Sequence, residues 1–430
     1  MAKRKRLSLS ARILIGMVLG AVVGWIIGLM GNPQWTDTYL VGGLFDVVGK
    51  VFISLLKMLV VPLVFISLVC GSSSLSDPKM LGRVGGKAIG LYLLTTGIAV
   101  TLALTAAVIF KPGIGANPVA TQAADIAPAT PFSQVIVDMI PNNPVAAMAD
   151  AKMLPIIFFS ILLGVSITLS REKGARIASW FGDMNEVIMK LVTLVMRFAP
   201  YGVFALIANL AATSDAADFM AVGRYVLLVF AVLFVHALVV YPTLLTVLAQ
   251  VNPITFLYKM RAAMLFAFTT ASSNATIPVT LESVEKRVGA SNKVASFTVP
   301  LGATINMDGT AIMQGLATGF IAQFYGIDLT LTQYLMVVMM VIMASIGTAG
   351  VPSVGLVLLA GVLAQVGLPE EGIALILGVD RLLDMTRTVV NITGDATVTT
   401  IVAKSEGELD LDVFNDPDAG QEYESGARAV

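Results

Sequence analysis

Six apolar runs, each long enough to cross a bilayer, fill most of the chain up to residue 249. They cover residues 13–30, 43–70, 85–110, 132–169, 187–213 and 221–249. A helix needs about 20 apolar residues to span the hydrocarbon core. Because lipid offers no hydrogen-bond partner to the backbone, such runs are stable only when they satisfy their own amides and carbonyls. The sequence therefore predicts a helical membrane protein with several spans.

Composition and charge exclude most other classes of protein. Hydrophobic residues make up 57% and charged residues 13% of the chain, whereas a soluble domain carries roughly 25% charged residues. The formal net charge of −1 provides no basic footprint for nucleic acid. A single cysteine, Cys70, and a single histidine, His236, exclude an intramolecular disulfide, a multi-histidine metal centre and a His-based catalytic triad. We expect His236, which lies inside an apolar run, to be a packing residue.

Basic residues at the amino terminus predict on which side of the membrane it lies. A basic segment at residues 3–6 precedes the first apolar run, which by the positive-inside rule places the amino terminus in the cytoplasm. The run is too long for a signal peptide and stays as the first helix. Four of its glycines recur every fourth residue, so they share one face on which a neighbouring helix can pack closely. These are Gly16, Gly20, Gly24 and Gly28.

Small polar residues interrupt two later apolar regions at their centres. The interruptions read TTASSNATIP at 269–278 and SIGTAGVPS at 345–353, and each is followed by a helix with a polar signature, at 306–310 and 380–395. Non-helical backbone at membrane depth is tolerated only where protein or a water-filled cavity satisfies it. A duplicated pair of interrupted segments indicates a transporter binding site between structural repeats.

The last apolar span, residues 372–404, carries a polar stripe. At 100° per residue, six polar positions fall within an arc of about 100° and climb about 22 Å along the helix. Each Asp or Arg at a helix centre costs roughly 2.5 to 3.5 kcal/mol to insert, so such residues usually line a substrate or ion path. The six are Asp380, Asp384, Arg387, Thr388, Asn391 and Asp395.

The stripe indicates both an organic substrate and a cation. Arg387 offers a planar fork of donors for a carboxylate, and Asp384 can accept hydrogen bonds from an ammonium. This combination suits an acidic amino acid. Carboxylate and carbonyl oxygens suit sodium or protons better than a transition metal. Oxygen ligands are available from Asn306, Asp308, Asn391 and Asp395, and from carbonyls of unwound backbone at Gly302, Thr304 and Ser345.

Four motifs resemble the glutamate transporter family, the dicarboxylate/amino acid:cation symporters. They are PNNPVAAMA at 141–149, NMDGTA at 306–311, GTAGVP at 347–352 and the stretch from Asp380 to Asp395. The resemblance implies an all-α polytopic membrane protein with eight transmembrane helices and two re-entrant hairpins, built from inverted repeats and assembled as a homotrimer. It also implies an elevator mechanism, in which a mobile transport domain moves against a trimerisation scaffold.

The resemblance also assigns parts of the chain to these two domains. Residues 1–252 would form mainly the scaffold, from helices 1, 2, 4 and 5, while helices 3 and 6 belong to the transport domain. Residues 253–404 would form the core of the transport domain, with hairpin 1 near 253–289 and hairpin 2 near 332–368. Residues 405–430 would be an acidic cytoplasmic tail, which its composition predicts to be solvated and disordered.

By the same resemblance, individual residues acquire roles. Substrate contacts would fall on Ser273, Thr310, Val351, Gly355, Asp384, Arg387, Thr388 and Asn391. A first sodium site would use Gly302, Asn306, Asn391 and Asp395; a second would use Thr304, Ser345, Ile346 and Thr348. A third would use Tyr92, Thr95, Thr96, Asn306 and Asp308. Where family members carry a second arginine near the site, this chain has Ala271 and Met385.

The leading hypothesis is sodium-coupled import of L-aspartate or L-glutamate across a prokaryotic inner membrane, with both termini cytoplasmic. The alternatives are proton-coupled uptake of glutamate and a C4-dicarboxylate:cation symporter. A C4-dicarboxylate lacks the ammonium that would pair with Asp384. A neutral amino acid lacks the side-chain carboxylate that would pair with Arg387. An intramembrane aspartyl protease is disfavoured because no catalytic motif accompanies the aspartates. We therefore expect a transporter in contact with lipid, and not an enzyme.

Overall fold

The computed structural model of the chain describes residues 9–30, 34–73, 81–115, 137–213, 216–346, 354–377 and 379–420. Within these ranges every regular element is a helix, and β pairing is limited to an isolated antiparallel bridge between Ala290 and Leu409. The prediction of an all-helical protein is therefore confirmed.

The described residues of the first part of the chain form seven helices, several with π-helical or short extensions. In order they are α1 (Leu9–Leu29), α2 (Asp46–Ser73, preceded by Gln34–Thr36 and the π-helical Asp37–Phe45), α3 (Gly86–Phe110, preceded by the π-helical Leu81–Gly85), α4 (Met153–Leu169, preceded by Pro144–Ala149), α5 (Arg171–Met196), α6 (Ala199–Thr213) and α7 (Ala216–Val235, continued by His236–Val240, Tyr241–Leu244 and Leu245–Ala249).

The second part contains two helical hairpins, each followed by a long polar helix. Hairpin 1 consists of α8 (Pro253–Thr270) and α9 (Ser273–Glu282, continued by the π-helical Ser283–Val288) and leads to α10 (Asn292–Ile305) and α11 (Asp308–Phe324). Hairpin 2 consists of α12 (Leu331–Ser345) and α13 (Val354–Gln365). Short turns at Glu370–Gly372 and Ile373–Leu377 then lead to α14 (Asp380–Glu406) and the terminal helix α15 (Leu411–Asn415).

Side-chain bonds between the two ends of each hairpin demonstrate that the chain reverses. Near the start of α8, Lys259 Nζ donates to the carbonyl of Arg287 at 2.7 Å. In hairpin 2, Gln333 Nε2 donates to the carbonyl of Val366 at 3.0 Å. Hairpin 1 reverses at Ala271, which adopts a left-handed φ of 50°, and at Ser272, which caps α9. The two hairpins predicted from the interrupted segments are thus present, although the tip of hairpin 2, 347–353, lies outside the described residues.

Three continuous described helices are long and apolar enough to cross a membrane: Gln34–Leu55, Arg83–Phe110 and Met220–Ala249. A fourth crossing can come from the pair Arg171–Val195 and Ala199–Asn209, which is bent by 47°. The two helices of hairpin 2, the Pro155–Leu169 part of α4 and the Ile15–Leu29 part of α1 are apolar but shorter. The predicted total of eight spans therefore stays a prediction. After α3 the chain forms turns at residues 112–115.

The glycine stripe of α1 packs against α6, as the fourfold spacing predicted. A Cβ atom at Gly16 would lie 2.5 Å from the carbonyl oxygen of Pro200, and one at Gly20 would lie 2.5 Å from that of Phe204. Gly24 faces the backbone of Ala208 in the same way, whereas Gly28 has more space, 3.5 Å from the Ala211 oxygen. Only glycine permits two helical backbones to approach this closely.

The remaining packing surrounds the polar elements with apolar helices. Helix α2 packs on α4, α5 and α6, while α11 is buried along nearly its whole length against α3, α7 and α14. Helix α14 also contacts α8 and α10. Two groups of helices result: α2 with α4, α5 and α6, and α11 with α3, α7 and α14. Hairpin 2 lies between these two groups, since α12 contacts α3 and α4 and α13 contacts α2. The polar face of α14 is therefore enclosed by protein.

The expectation of a disordered tail is wrong for residues 407–420, although more than half of them are solvent-exposed as expected. The Phe414 side chain of α15 is 1% exposed and belongs to the same apolar cluster as α8 and α14. Lys259 Nζ donates to the carbonyls of Val413 at 2.9 Å and Asp416 at 2.7 Å. Acidic composition predicted solvation, but one aromatic side chain and these backbone carbonyls dock the segment on hairpin 1. Residues 421–430 lie outside the described part.

Candidate functional site

The NMDGTA motif breaks a helix into two halves. Asn306 and Met307 have extended or irregular backbone, with φ/ψ of −98°/91° and −115°/49°, between the end of α10 and the start of α11. The carbonyls that end α10 and the amides that begin α11 thus meet inside the protein. Opposed helix ends of this kind present partial charges to ions and to polar substrates.

Side chains from α12 and α14 form hydrogen bonds with backbone groups at the break between α10 and α11. Asn391 Oδ1 accepts from the Gly309 amide at 2.7 Å. The hydroxyl of Ser345 accepts from the Met307 amide at 3.0 Å and donates to the carbonyl of Ile305 at 2.5 Å. The end of hairpin 2's first arm is therefore attached to the break. Unwound backbone was expected at Gly302, Thr304 and Ser345. Instead, Gly302 and Thr304 lie in the last turns of α10, Ser345 is the last residue of α12, and the irregular residues follow these helices.

The residues predicted for the first sodium site converge on this break. Asn306 Nδ2 donates to Oδ1 of Asp395 at 3.0 Å and to the carbonyl of Asn391 at 3.3 Å. All three side chains are at most 3% exposed. A Cβ at Gly302 would lie 2.5 Å from Asp395 Oδ1, so the absence of a side chain there lets the carboxylate approach α10.

Helix α3 brings the residues predicted for the third sodium site to the same place. Thr96 donates to Oδ1 of Asp308 at 2.7 Å, and Thr95 donates to Oδ1 of Asn306 at 3.2 Å. The Tyr92 hydroxyl instead donates to the carbonyl of Thr298 at 2.9 Å. These side chains are all fully buried. Two carboxylates, Asp308 and Asp395, thus lie in one buried network of oxygen atoms.

The residues predicted for the second sodium site are only partly described. Ser345 contacts the helix break as above, and Ile346 directly follows it at the end of α12. The Thr304 hydroxyl donates to the carbonyl of Leu301 at 2.9 Å and is thus engaged within its own helix. Thr348 lies outside the described residues.

A buried arginine with two acidic neighbours lies at the start of α14. Arg387 Nη2 is 2.7 Å from Oδ1 of Asp384 and 2.9 Å from Oδ1 of Asp380. The Arg387 side chain is 1% exposed, and its Nε and Nη1 atoms have no hydrogen-bond partner among the described residues. Unpaired buried donors are costly, typically by about 1–3 kcal/mol each, so such atoms are expected to receive a ligand.

Of the other predicted substrate residues, Thr310, Gly355 and Thr388 lie close to this arginine. A Cβ at Gly355 would lie 2.9 Å from Cγ2 of Thr310 and 3.6 Å from Nη1 of Arg387, so hairpin 2 covers the guanidinium closely. Thr388 donates to the Asp384 carbonyl at 2.8 Å and is buried. Ser273, also buried, begins α9 at the tip of hairpin 1. Val351 lies outside the described residues.

Two residues of the ion network were missed by sequence reasoning. The Tyr241 hydroxyl donates to Oδ2 of Asp308 at 2.8 Å, and His236 Nε2 lies 3.2 Å from the same oxygen. His236 packs edge-on against Tyr241, with ring centroids 4.7 Å apart, so the packing expected of it is only part of its environment. The intervening π-helical turn, His236–Val240, sets the relative position of the two rings. Nothing in a continuous apolar run signals such a turn.

Comparison with known proteins gives a consistent result over nearly the whole chain. The profile of the sodium:dicarboxylate symporter family matches residues 9–405. The chain belongs to this family. It is 37% identical over 424 residues to the proton/glutamate-aspartate symporter of Escherichia coli K12, with 95% of each chain covered. It is 35% identical to the proton/sodium-glutamate symport protein of Geobacillus stearothermophilus, with 94% of this chain and 96% of the relative covered.

The chain is also similar to a relative that is named for a different substrate. The C4-dicarboxylate transport protein of Bacillus subtilis is 31% identical over 412 residues, which cover 94% of this chain and 96% of that protein. Membership of the family confirms the predictions of a membrane transporter and of a symporter, and it confirms that the chain is not an enzyme. The names of these three relatives differ in both coupling ion and substrate.

Proposed function

We propose that this chain is a cation-coupled symporter that imports an acidic amino acid, L-aspartate or L-glutamate. The observation that carries the proposal is the buried Arg387, whose Nε and Nη1 lack partners among the described residues. A planar guanidinium with two open donors matches a carboxylate in a bidentate manner. The covering Gly355 leaves room for backbone but not for a side chain, which favours a ligand enclosed under hairpin 2.

The second recognition element in this proposal is Asp384. Its carboxylate is on the same helix face as Arg387, three residues earlier, and one of its oxygens lies toward that arginine. An α-ammonium placed beside Asp384 would be paired with a charge while the side-chain carboxylate of the substrate reaches Arg387. The relatives from E. coli and G. stearothermophilus are both named for glutamate, which supports the same substrate class.

We propose sodium as the coupling ion. Asn306, Asp308, Asn391 and Asp395, with Thr95 and Thr96, form a buried set of carboxylate, amide and hydroxyl oxygens. Oxygen atoms of this kind suit a hard monovalent cation. Protons are the alternative, because the E. coli relative is named a proton symporter and two buried carboxylates can also carry protons.

Uptake of labelled L-aspartate and L-glutamate into proteoliposomes tests the proposal. Vesicles would receive an inward sodium gradient, an inward proton gradient, or neither, with L-malate and L-serine as competitors. Concentrative uptake with sodium is the expected result. Uptake driven only by protons would overturn the sodium assignment but keep the substrate site. Stronger inhibition by malate than by either amino acid would overturn the role of Asp384 and favour the C4-dicarboxylate alternative.

We also propose that three chains assemble and that each divides into a scaffold and a mobile transport domain. The close packing of α1 on α6, and of α2 on α4 and α5, is consistent with a scaffold, and that of α3 with α11 and α14 with a moving unit. Native mass measurement of the detergent-solubilised 45.2 kDa chain tests the trimer. A cross-link between α2 and α13 should stop transport without preventing substrate binding if the two groups move relative to each other.

We propose an orientation with both termini on the cytoplasmic side of a prokaryotic inner membrane. The basic segment at residues 3–6 supports it by the positive-inside rule. Because Cys70 is the single cysteine, a Cys70→Ser background permits labelling at one chosen site. Lys5→Cys and Glu422→Cys should each react with an impermeant maleimide only after intact cells are permeabilised. Labelling of intact cells at either position would place that terminus on the outer side of the membrane and overturn its assignment.

A further inference from the structure

A second arginine, Arg381, lies beside the acidic group of the substrate site. Its Nη1 is 3.5 Å from Oδ2 of Asp384, while the other carboxylate oxygen, Oδ1, is 2.7 Å from Arg387. Asp384 is thus between two guanidinium groups, one on each oxygen. Together with Asp380, the cluster contains two positive and two negative side chains, all within the first eight residues of α14.

The two arginines hold Asp384 to different extents. Arg387 is buried and also pairs with Asp380, so it has two acidic partners. Arg381 lies farther from Asp384, its side chain is 12% exposed, and its buried Nε has no hydrogen-bond partner among the described residues. Of the two, Arg381 is therefore the partner that an incoming cation can displace.

This difference bears on which substrates the site rejects. A binding site rejects a ligand efficiently when that ligand leaves a buried charge unpaired. A dicarboxylate brings no ammonium to compensate the negative charge of the buried Asp384. With Arg381 in place, the carboxylate keeps a second positive group beside Oδ2 when the ammonium is missing.

We propose that Arg381 is a specificity-determining residue: it gives way to the ammonium of an acidic amino acid and pairs with Asp384 when the ligand has none. The residue thereby lowers discrimination against C4-dicarboxylates without contacting the carboxylates of either ligand. This inference rests on the proposed function and deepens it, since it concerns the selectivity of the same site.

Competition between succinate and L-aspartate tests the role of Arg381. Succinate carries two carboxylates and no ammonium. In proteoliposomes with a sodium gradient, Arg381→Ala should raise the inhibition constant of succinate about tenfold, because Asp384 loses one of its two positive neighbours. The KM for aspartate should stay constant or fall, because its ammonium no longer competes with a guanidinium. Arg381→Lys, which keeps the charge, should restore most of the succinate inhibition.

A matched control is Lys404→Ala, which removes one positive charge from the same helix about 35 Å away and should leave both constants unchanged. Calorimetric titration of the purified variants with succinate and aspartate gives the same ratio if transport is lost. An unchanged ratio in Arg381→Ala, or a wild-type chain that binds aspartate but no succinate, would overturn the role of Arg381 while the proposed function stands. A wild-type chain that binds neither acidic amino acid would overturn both.

Discussion

The Tyr241 hydroxyl and the Asp308 carboxylate form a fully buried hydrogen bond of 2.8 Å between the helical turn Tyr241–Leu244, which continues α7, and the first residue of α11. This bond joins an aromatic residue in an apolar run to the motif that breaks the α10–α11 helix. Together with Thr96 on the other oxygen, it fixes the orientation of the carboxylate that we assign to a sodium site.

Removing this hydroxyl should weaken binding of the coupling ion. Tyr241→Phe deletes a hydrogen bond to a charged group, an effect of about 1.5–3 kcal/mol, so the sodium concentration for half-maximal uptake should rise about ten- to a hundredfold. The measurement is aspartate uptake against sodium concentration. Tyr225→Phe is the control, because that hydroxyl is buried and has no hydrogen-bond partner among the described residues. Equal sodium dependence in both variants would contradict the assignment.

Arg387 should not tolerate replacement by lysine. Breaking a buried ion pair costs about 3–5 kcal/mol, and a lysine cannot offer the planar fork that a carboxylate needs. Both Arg387→Ala and Arg387→Lys should therefore lower aspartate affinity more than about hundredfold, as measured by binding to purified protein. Arg224→Lys, on an exposed arginine that bonds to the Ile114 carbonyl, is the control. Normal aspartate affinity in Arg387→Lys would refute bidentate recognition.

Asp395→Asn should act on the ion and not on the substrate. The carboxylate accepts from Asn306 at 3.0 Å, and an amide keeps the size but loses the charge that a cation needs. Sodium dependence should weaken by about tenfold or more, while aspartate affinity at saturating sodium stays close to normal. Asp150→Asn, at an exposed pair with Lys152, should change neither value. An unchanged sodium response would remove Asp395 from the ion site.

Lys259 should stabilise the carboxyl-terminal segment. Its ammonium donates to three carbonyls, those of Arg287, Val413 and Asp416. Lys259→Met keeps the apolar stem but leaves these carbonyls unpaired, so we expect a loss of about 1–3 kcal/mol and faster hydrogen exchange in residues 411–416. Lys50→Met, at an exposed pair with Asp46, should cost less than about 1 kcal/mol. Unchanged exchange in Lys259→Met would show that Phe414 alone holds the segment.

Glu406 should make the stability of the folded protein depend on pH in the acidic range. Hydrogen bonds from Lys87 and Arg83 lower the pKa of this carboxyl from its ordinary value. A depressed pKa in the folded state gives stability that is present above the ordinary value, about 4.3, and is lost as the pH falls through the folded value. Melting temperature should therefore fall less between pH 6 and pH 3 in Glu406→Gln than in the wild type. Glu172→Gln, at an exposed glutamate of α5, should keep the wild-type slope.

Much of the site was predictable because its residues are chemically unusual where they occur. Charged side chains such as Asp384 and Arg387 in an apolar span have few explanations other than a binding path, and small residues in the hairpins indicate broken helices. The docking of 407–420 was not predictable, because it depends on Phe414 meeting hairpin 1 and on Lys259 reaching carbonyls more than 150 residues away in the chain. Composition averages over such specific contacts.

The sequence by itself determined that the chain is a helical membrane protein, that α14 carries a polar face and that Gly16, Gly20 and Gly24 form a packing surface, since each follows from local spacing. Only the tertiary structure decided that the helix breaks at Asn306 and Met307, that Tyr241 and His236 meet Asp308, and that Arg381 shares Asp384 with Arg387. These relationships depend on the π-helical turn, on side-chain rotamers and on how separate helices pack. Periodicity along one helix carries no information about the neighbour that its polar face will meet.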